Sequence, residues 1–188
     1  NEVKPLPGTH DQVSYDALAW RAASGHGFSF AEAHWPATRA GEPTAHWSPL
    51  YTLALTTTYR LLGHEPIAAR LLQAVIAGIL LPLGLFRLGG RLFGQGVGLL
   101  AAGMAAVYAY FVYYAGCLMT EMATVVTVVW TLETLYALEE RPQRRLWVAA
   151  GVLVGTLALL RQVAVVPMVL AGVWVVAHRH STRDVAGA

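Results

Sequence analysis

A chain of 188 residues that is 56% hydrophobic and only 13% charged carries about half the roughly 25% charge of an ordinary soluble domain. So little polar surface cannot cover a soluble core of this size. The net charge of +2 comes from basic residues scattered between apolar runs, which excludes the clustered basic face of a nucleic-acid-binding protein.

The chain opens on the polar stretch Asn1 to Gln12 without an initiator methionine, which reads as a piece of a longer chain without a signal peptide. Ser14 to Ser24 reads as a short helix with Tyr15, Leu18, Ala19 and Ala22 on one face, the 3.6-residue period of an amphipathic helix. Gly25-His26-Gly27 ends it, and Ala33 to Pro43 is a polar loop. Ser48 to Leu62 is a second apolar stretch, short for a membrane span. With Trp20, Trp35, Trp47, Tyr51 and Tyr59 nearby, both helices are expected to lie in the membrane interface, where amphipathic aromatic rings are enriched.

Four long, weakly charged blocks follow His64: Ile67 to Phe86, Gly96 to Gly116, Met119 to Leu138, and Leu146 to Ala177. About 20 helical residues cross the roughly 30 Å of bilayer hydrocarbon, so each block is long enough to span. The last is too long for one untilted crossing and is split at Arg161-Gln162 into Leu146 to Leu160 and Val163 to Ala177. Five spans then place three basic clusters on the cytoplasmic side: Arg87 with Arg91; Arg141, Arg144 and Arg145; and Arg179 with Arg183. That is the positive-inside pattern. The opposite face takes the first 65 residues, the Cys117 to Glu121 turn and Arg161. The expected organisation is an extracytoplasmic loop with interfacial helices over 1–65, a transmembrane domain over 66–180 and a cytoplasmic tail over 181–188. An all-α, multi-pass protein of the plasma or inner cell membrane is expected.

Asp11, Glu121 and Arg161 converge on that outer face. Charges beside hydrocarbon are usually paired or functional, and a carboxylate there could take a proton from an acceptor, a second could hold a metal, and an arginine suits a phosphate. Singly, each has a plainer reading. Asp11 and Asp16 could cap the first helix, Glu121 could sit in water at a first helical turn, and Arg161 could snorkel to the interface. Glu133 is expected to be exposed near the cytoplasmic end of its span, beside Glu139 and Glu140. The histidines fit no short metal-ligand spacing, and the lone Cys117 cannot make an intramolecular disulfide. Gly151 and Gly155 suggest close helix packing; the Gly94, Gly96 and Gly98 run lacks the strand that a dinucleotide site needs.

The order of motifs adds a resemblance. Asp11-Gln-Val-Ser-Tyr15-Asp-Ala-Leu-Ala19, Gly25-His-Gly-Phe28, Trp47-Ser-Pro49-Leu-Tyr51, Tyr59-Arg-Leu-Leu-Gly63, Arg70-Leu-Leu, Arg91-Leu-Phe-Gly94 and Leu118-Met-Thr-Glu121 resemble, in that order, GT-C fold glycosyltransferases of the family-39 type, the group of protein O-mannosyltransferases and lipid A aminoarabinose transferases. The resemblance implies a GT-C-like membrane enzyme that moves a sugar from a polyprenyl-phosphate donor to a lipid, glycan or protein acceptor by inverting displacement. It implies Asp11 as the catalytic base, Glu121 as a second acid or metal ligand, and Arg161 and Tyr15 as donor or phosphate contacts. Gln12 stands where many relatives carry Glu, which leaves a divalent metal (Mg or Mn) open. Later spans are missing, so this piece is expected to be inactive alone. The rival readings are a multi-pass transporter or lipid flippase, expected to show broken helices or inverted repeats, and a noncatalytic membrane scaffold.

Overall fold

A computed structural model describes residue 3, residues 10–34 and residues 38–173. Trp35, the final residues of the last expected span, Arg179, Arg183 and the 181–188 tail lie outside them. The described residues are helical, apart from loops and two isolated bridges, Ser29 with Pro43 and His34 with Thr38. The helices are α1 Asp11–Ala23, α2 Pro49–Leu62, α3 Pro66–Phe93, α4 Gln95–Val107, α5 Ala109–Ala115, α6 Glu121–Glu140, α7 Arg144–Leu160 and α8 Gln162–Val173. They fall into two compact units, Asn1–Gly78 with Ala109–Met122 and Ile79–Tyr108 with Ala123–Ala188.

In the first unit α1 packs on α2. The expected face of α1 is buried, with Tyr15, Leu18, Ala19 and Ala22 all inside, although the helix begins three residues before the expected Ser14. On α2 the inward side chains are Tyr51, Leu55 and Tyr59, with Thr52 and Thr56 among them. Those threonines can be buried because their hydroxyls donate to Ser48 O at 2.8 Å and Thr52 O at 2.7 Å, so no polar group is left dry. Ser48 caps α2, its Oγ accepting from Tyr51 N at 3.3 Å, and Pro49 fills the first position, where a missing N–H costs nothing. Gly63 ends α2 at φ +80°, a conformation that favours glycine.

The second unit is built on close helix approaches. Gly94 turns α3 into α4 at φ +92°, and Gly98 then lies so near α3 that a Cβ would sit 2.5 Å from Phe86 O and 2.6 Å from Gly90 N. At Gly84 a Cβ would meet Val129 Cγ1 of α6 at 2.9 Å. Trp130 of α6 donates its indole N–H to Leu80 O at 3.0 Å, next to Pro82, which removes one N–H from the α3 ladder. Leu135 and Leu138 of α6 pack with Ala150 and Leu146 of α7 and Ala171 of α8. The close packing expected at Gly151 and Gly155 is not there: both are exposed, and a Cβ on either would meet open space. The Gly94 to Gly98 run carries the tight contact instead, because the short α3–α4 turn forces those two backbones together.

α3 and α6 are each long and apolar enough to cross a membrane. Only 17% of the most apolar window of α3 is buried, against 50% for α6, and Ile67, Leu71, Val75 and Ile79 stand exposed along α3. An outward apolar face of that length belongs in lipid. The block expected as one continuous span from Gly96 is broken: α4 and α5 meet at Tyr108 with a bend of 56°, so the candidate spans among the described residues number two, or three if the bent pair is one crossing. The break expected at Arg161-Gln162 is present, with Arg161 extended (φ −156°, ψ 101°) between α7 and the 3₁₀ turn that opens α8.

Candidate functional site

The first unit holds Asp11, Tyr15 and Glu121. Asp11 is the first residue of α1 and is exposed. His10 at the cap position makes no side-chain capping bond, so Asp11 complements the positive end of the helix as a charge. One turn on, the buried Tyr15 accepts at its hydroxyl from Ser48 N at 3.3 Å and packs edge-on against Trp47 and Tyr51 at 5.2 and 5.0 Å. Burial raises the Tyr15 pKa, and the negative charges of Asp11 and Glu121 push it further the same way, while hydrogen bonds from Ser48 and with Thr120 oppose them. Asp11, Tyr15 and Glu121 therefore share one electrostatic neighbourhood that favours the protonated phenol.

Glu121 is half-buried and opens α6. The turn before it is held by Gln73 of α3, whose amide Nε2 lies 3.2, 3.1 and 2.7 Å from the carbonyls of Tyr114, Ala115 and Cys117. Carbonyls at the end of α5 lack intrahelical partners, and the amide satisfies them. The Gln73 Oε1 in turn accepts from the Tyr51 hydroxyl at 2.6 Å. Burial, reinforced by Tyr15 and Glu121, drives the Tyr51 pKa well up. It also raises that of the buried Cys117 thiol, where Arg70 opposes and Glu121 reinforces the shift.

Arg70 of α3 donates from Nη2 to Gln12 Oε1 at 2.9 Å, and its buried Nε has no hydrogen-bond partner among the described residues. Its positive charge lowers the pKa of Tyr51, Tyr59 and Cys117 against the effect of burial, which puts it in the same neighbourhood as Glu121. A cation in the second turn of an apolar helix was the signal for this residue, and Gln73, three positions on, shares its face.

Asp16 is not a cap. It is buried in the α1–α2 contact, where it takes a short hydrogen bond from the Tyr59 hydroxyl and lies 3.0 and 3.2 Å from His64 Nε2 through its two oxygens. The His64 ring is stacked on Trp20 at 4.8 Å. His34 is engaged as well, 2.9 Å from Ser14 Oγ and stacked on Phe30 at 4.0 Å.

Arg161 belongs to the second unit, exposed at the break before α8. In the same unit Glu133 departs from expectation: only 3% exposed, it accepts from Arg87 Nε and Nη2 at 3.1 and 2.9 Å and from Arg91 Nη2 at 3.1 Å. It lies too far from the end of α6 to reach water, so two arginines one turn apart on α3 neutralise it. Among the described residues no group of three or more His, Cys, Asp or Glu side chains converges on one point.

No curated protein and no solved structure matches the chain. A sequence model of one family, described as dolichyl-phosphate-mannose-protein mannosyltransferase, matches residues 45–186. The match includes Arg70, Glu121 and Arg161 and leaves Asp11 and Tyr15 before its start. Covering more than half of the sequence, it agrees with the GT-C resemblance of the motifs and with the apolar helices: this is a membrane glycosyltransferase chain that belongs to the dolichyl-phosphate-mannose-protein mannosyltransferase family.

Proposed function

We propose that the chain forms the donor-side part of a glycosyltransferase that moves a sugar from a polyprenyl-phosphate carrier to an acceptor at the extracytoplasmic membrane face. The observation that carries this reading is the grouping of Asp11, Tyr15, Glu121 and Arg70 in one compact unit. Asp11, exposed at the start of α1, takes the proton of the acceptor hydroxyl. The freed oxygen attacks the anomeric carbon, and the bond from that carbon to the phosphate oxygen breaks, so a single displacement inverts the centre. The leaving polyprenyl phosphate carries away the electron pair. Arg70 holds that phosphate through the N–H groups of its fork not used on Gln12, and the protonated Tyr15 supplies a hydroxyl donor.

Arg161, in the other unit, keeps the donor-phosphate role that the resemblance implies for it, as a separate proposal with its own variant. Glu121 would hold a divalent cation (Mg or Mn) together with the donor phosphate, a set of ligands that needs only one or two protein carboxylates; a bound ion there supplies charge neutralisation. Dolichyl-phosphate mannose, named in the family's description, is the first donor to try, with a protein hydroxyl as first acceptor and lipid or glycan acceptors next. Five crossings, with 1–65 outside, 66–180 in the membrane and 181–188 in the cytoplasm, are the topology proposed for the plasma or inner membrane.

The test is sugar transfer in membranes holding the complete parent protein, native against Asp11→Asn at equal expression. Loss of a general base lowers the rate by on the order of 100- to 10,000-fold. An unchanged product from the variant would remove Asp11 from the chemistry and favour the scaffold or transporter readings.

A further inference from the structure

The second unit holds a cleft of about 410 Å³ lined by Phe86, Arg87, Gly90, Arg91, Gln95, Glu133 and Glu140. Its ion pairs are unequal. Glu133 is buried and takes three N–H donors, so it stays where it is. Among the described residues Glu140 reaches only Arg91 Nη1, and its side chain is 52% exposed. It also ends α6, where the helix dipole disfavours a negative charge, and half-exposed ion pairs contribute little. Arg87 is 51% exposed, its guanidinium lies 5.7 Å over the Trp130 ring, and its Nη1 has no hydrogen-bond partner among the described residues.

If Glu140 turns out to water, two guanidinium groups one helical turn apart each present a free Nη1 to the same cleft. Two such donors match two oxygens of a phosphate. Gln95 at the start of α4 adds an amide, and the Gly94 cap of that helix supplies no side-chain bond to the first-turn N–H groups. Phe86 lines the cleft, and Leu83, Phe93 and Val97, within a turn of its lining residues in the chain, are exposed as well. A charged pair with exposed apolar side chains close by fits a molecule with a phosphate at one end and hydrocarbon at the other.

We propose that this cleft binds the phosphate of an anionic phospholipid headgroup, with Arg87 and Arg91 as its cations and Glu140 as an internal competitor that the headgroup displaces. The site stands apart from the glycosyl-transfer reading and does not depend on it. The experiment is lipid retention by the detergent-purified full chain, followed by native mass spectrometry with phosphatidylglycerol or phosphatidylcholine added.

Phosphatidylglycerol is retained in preference. Arg87→Gln lowers that retention by about tenfold, the loss of one charge-assisted hydrogen bond, and Arg87→Lys, which keeps the charge without the fork, falls between. Glu140→Gln raises retention severalfold, because it removes the competitor; a purely structural ion pair would give no gain. Equal retention of both lipids, or no gain from Glu140→Gln, overturns the proposal. Inorganic phosphate that binds the delipidated protein as tightly as the lipid does overturns the lipid as the source.

Discussion

The two units handle charge differently. In the first, neutral donors and acceptors join Tyr51, Gln73 and the α5 carbonyls, the buried Asp16 is held by a phenol and an imidazole, and Asp11 stands exposed on a first helical turn. In the second, Glu133 is buried and its charge is cancelled by Arg87 and Arg91. A reacting site needs carboxylates that can exchange protons with a substrate, whereas a charge inside an apolar bundle must be neutralised in place. Position on the chain therefore says little about a charged residue's role, and its partners say most.

The sharpest way to break the comparison is Glu133→Ala, which leaves two arginines facing each other at a half-apolar site. Breaking a buried pair costs about 3–5 kcal/mol, read as a lower melting temperature of the detergent-solubilised protein, and a near-neutral result would mean that water already reaches Glu133. Next comes Arg70→Ala in the first unit, which raises the donor KM by on the order of tenfold to a hundredfold, with partial recovery in Arg70→Lys. Arg161→Ala, measured alongside, sharpens the contrast: a matching rise supports both cations on the donor, and an unchanged KM confines donor recognition to the first unit.

A smaller effect is expected from Tyr59→Phe, which removes one donor from the buried Asp16 and destabilises by about 1–2 kcal/mol. Burial, and then the hydrogen bond and charge of Asp16, raise the Tyr59 pKa above its ordinary value. A raised folded-state pKa gives stability that is complete below the unfolded phenol value of about 10 and is lost as pH rises above it. The native protein should therefore lose melting temperature above about pH 10 more steeply than Tyr59→Phe. A parallel decline in both would remove Tyr59 as the cause. Smallest of all is Arg39→Ala at the exposed pair with Glu42, expected to change stability by less than about 0.5 kcal/mol.

Much of this was legible from residue order alone. Apolar run length identified α3 and α6 as candidate spans, and the helical period of Tyr15, Leu18, Ala19 and Ala22 identified the buried face of α1. Ser48-Pro49 marked the start of α2 and Arg161 the break before α8. Each signal is local, a matter of neighbours within a turn or two, and composition added the membrane. What only the tertiary structure decided are partnerships across long stretches of chain: Gln12 with Arg70, Asp16 with Tyr59, Glu133 with Arg87. The same holds for the job of Gln73, the break at Tyr108 and the contact at Gly98. Periodicity tells which side of a helix is buried; which polar group meets which depends on how helices distant in sequence pack, and no local pattern records that.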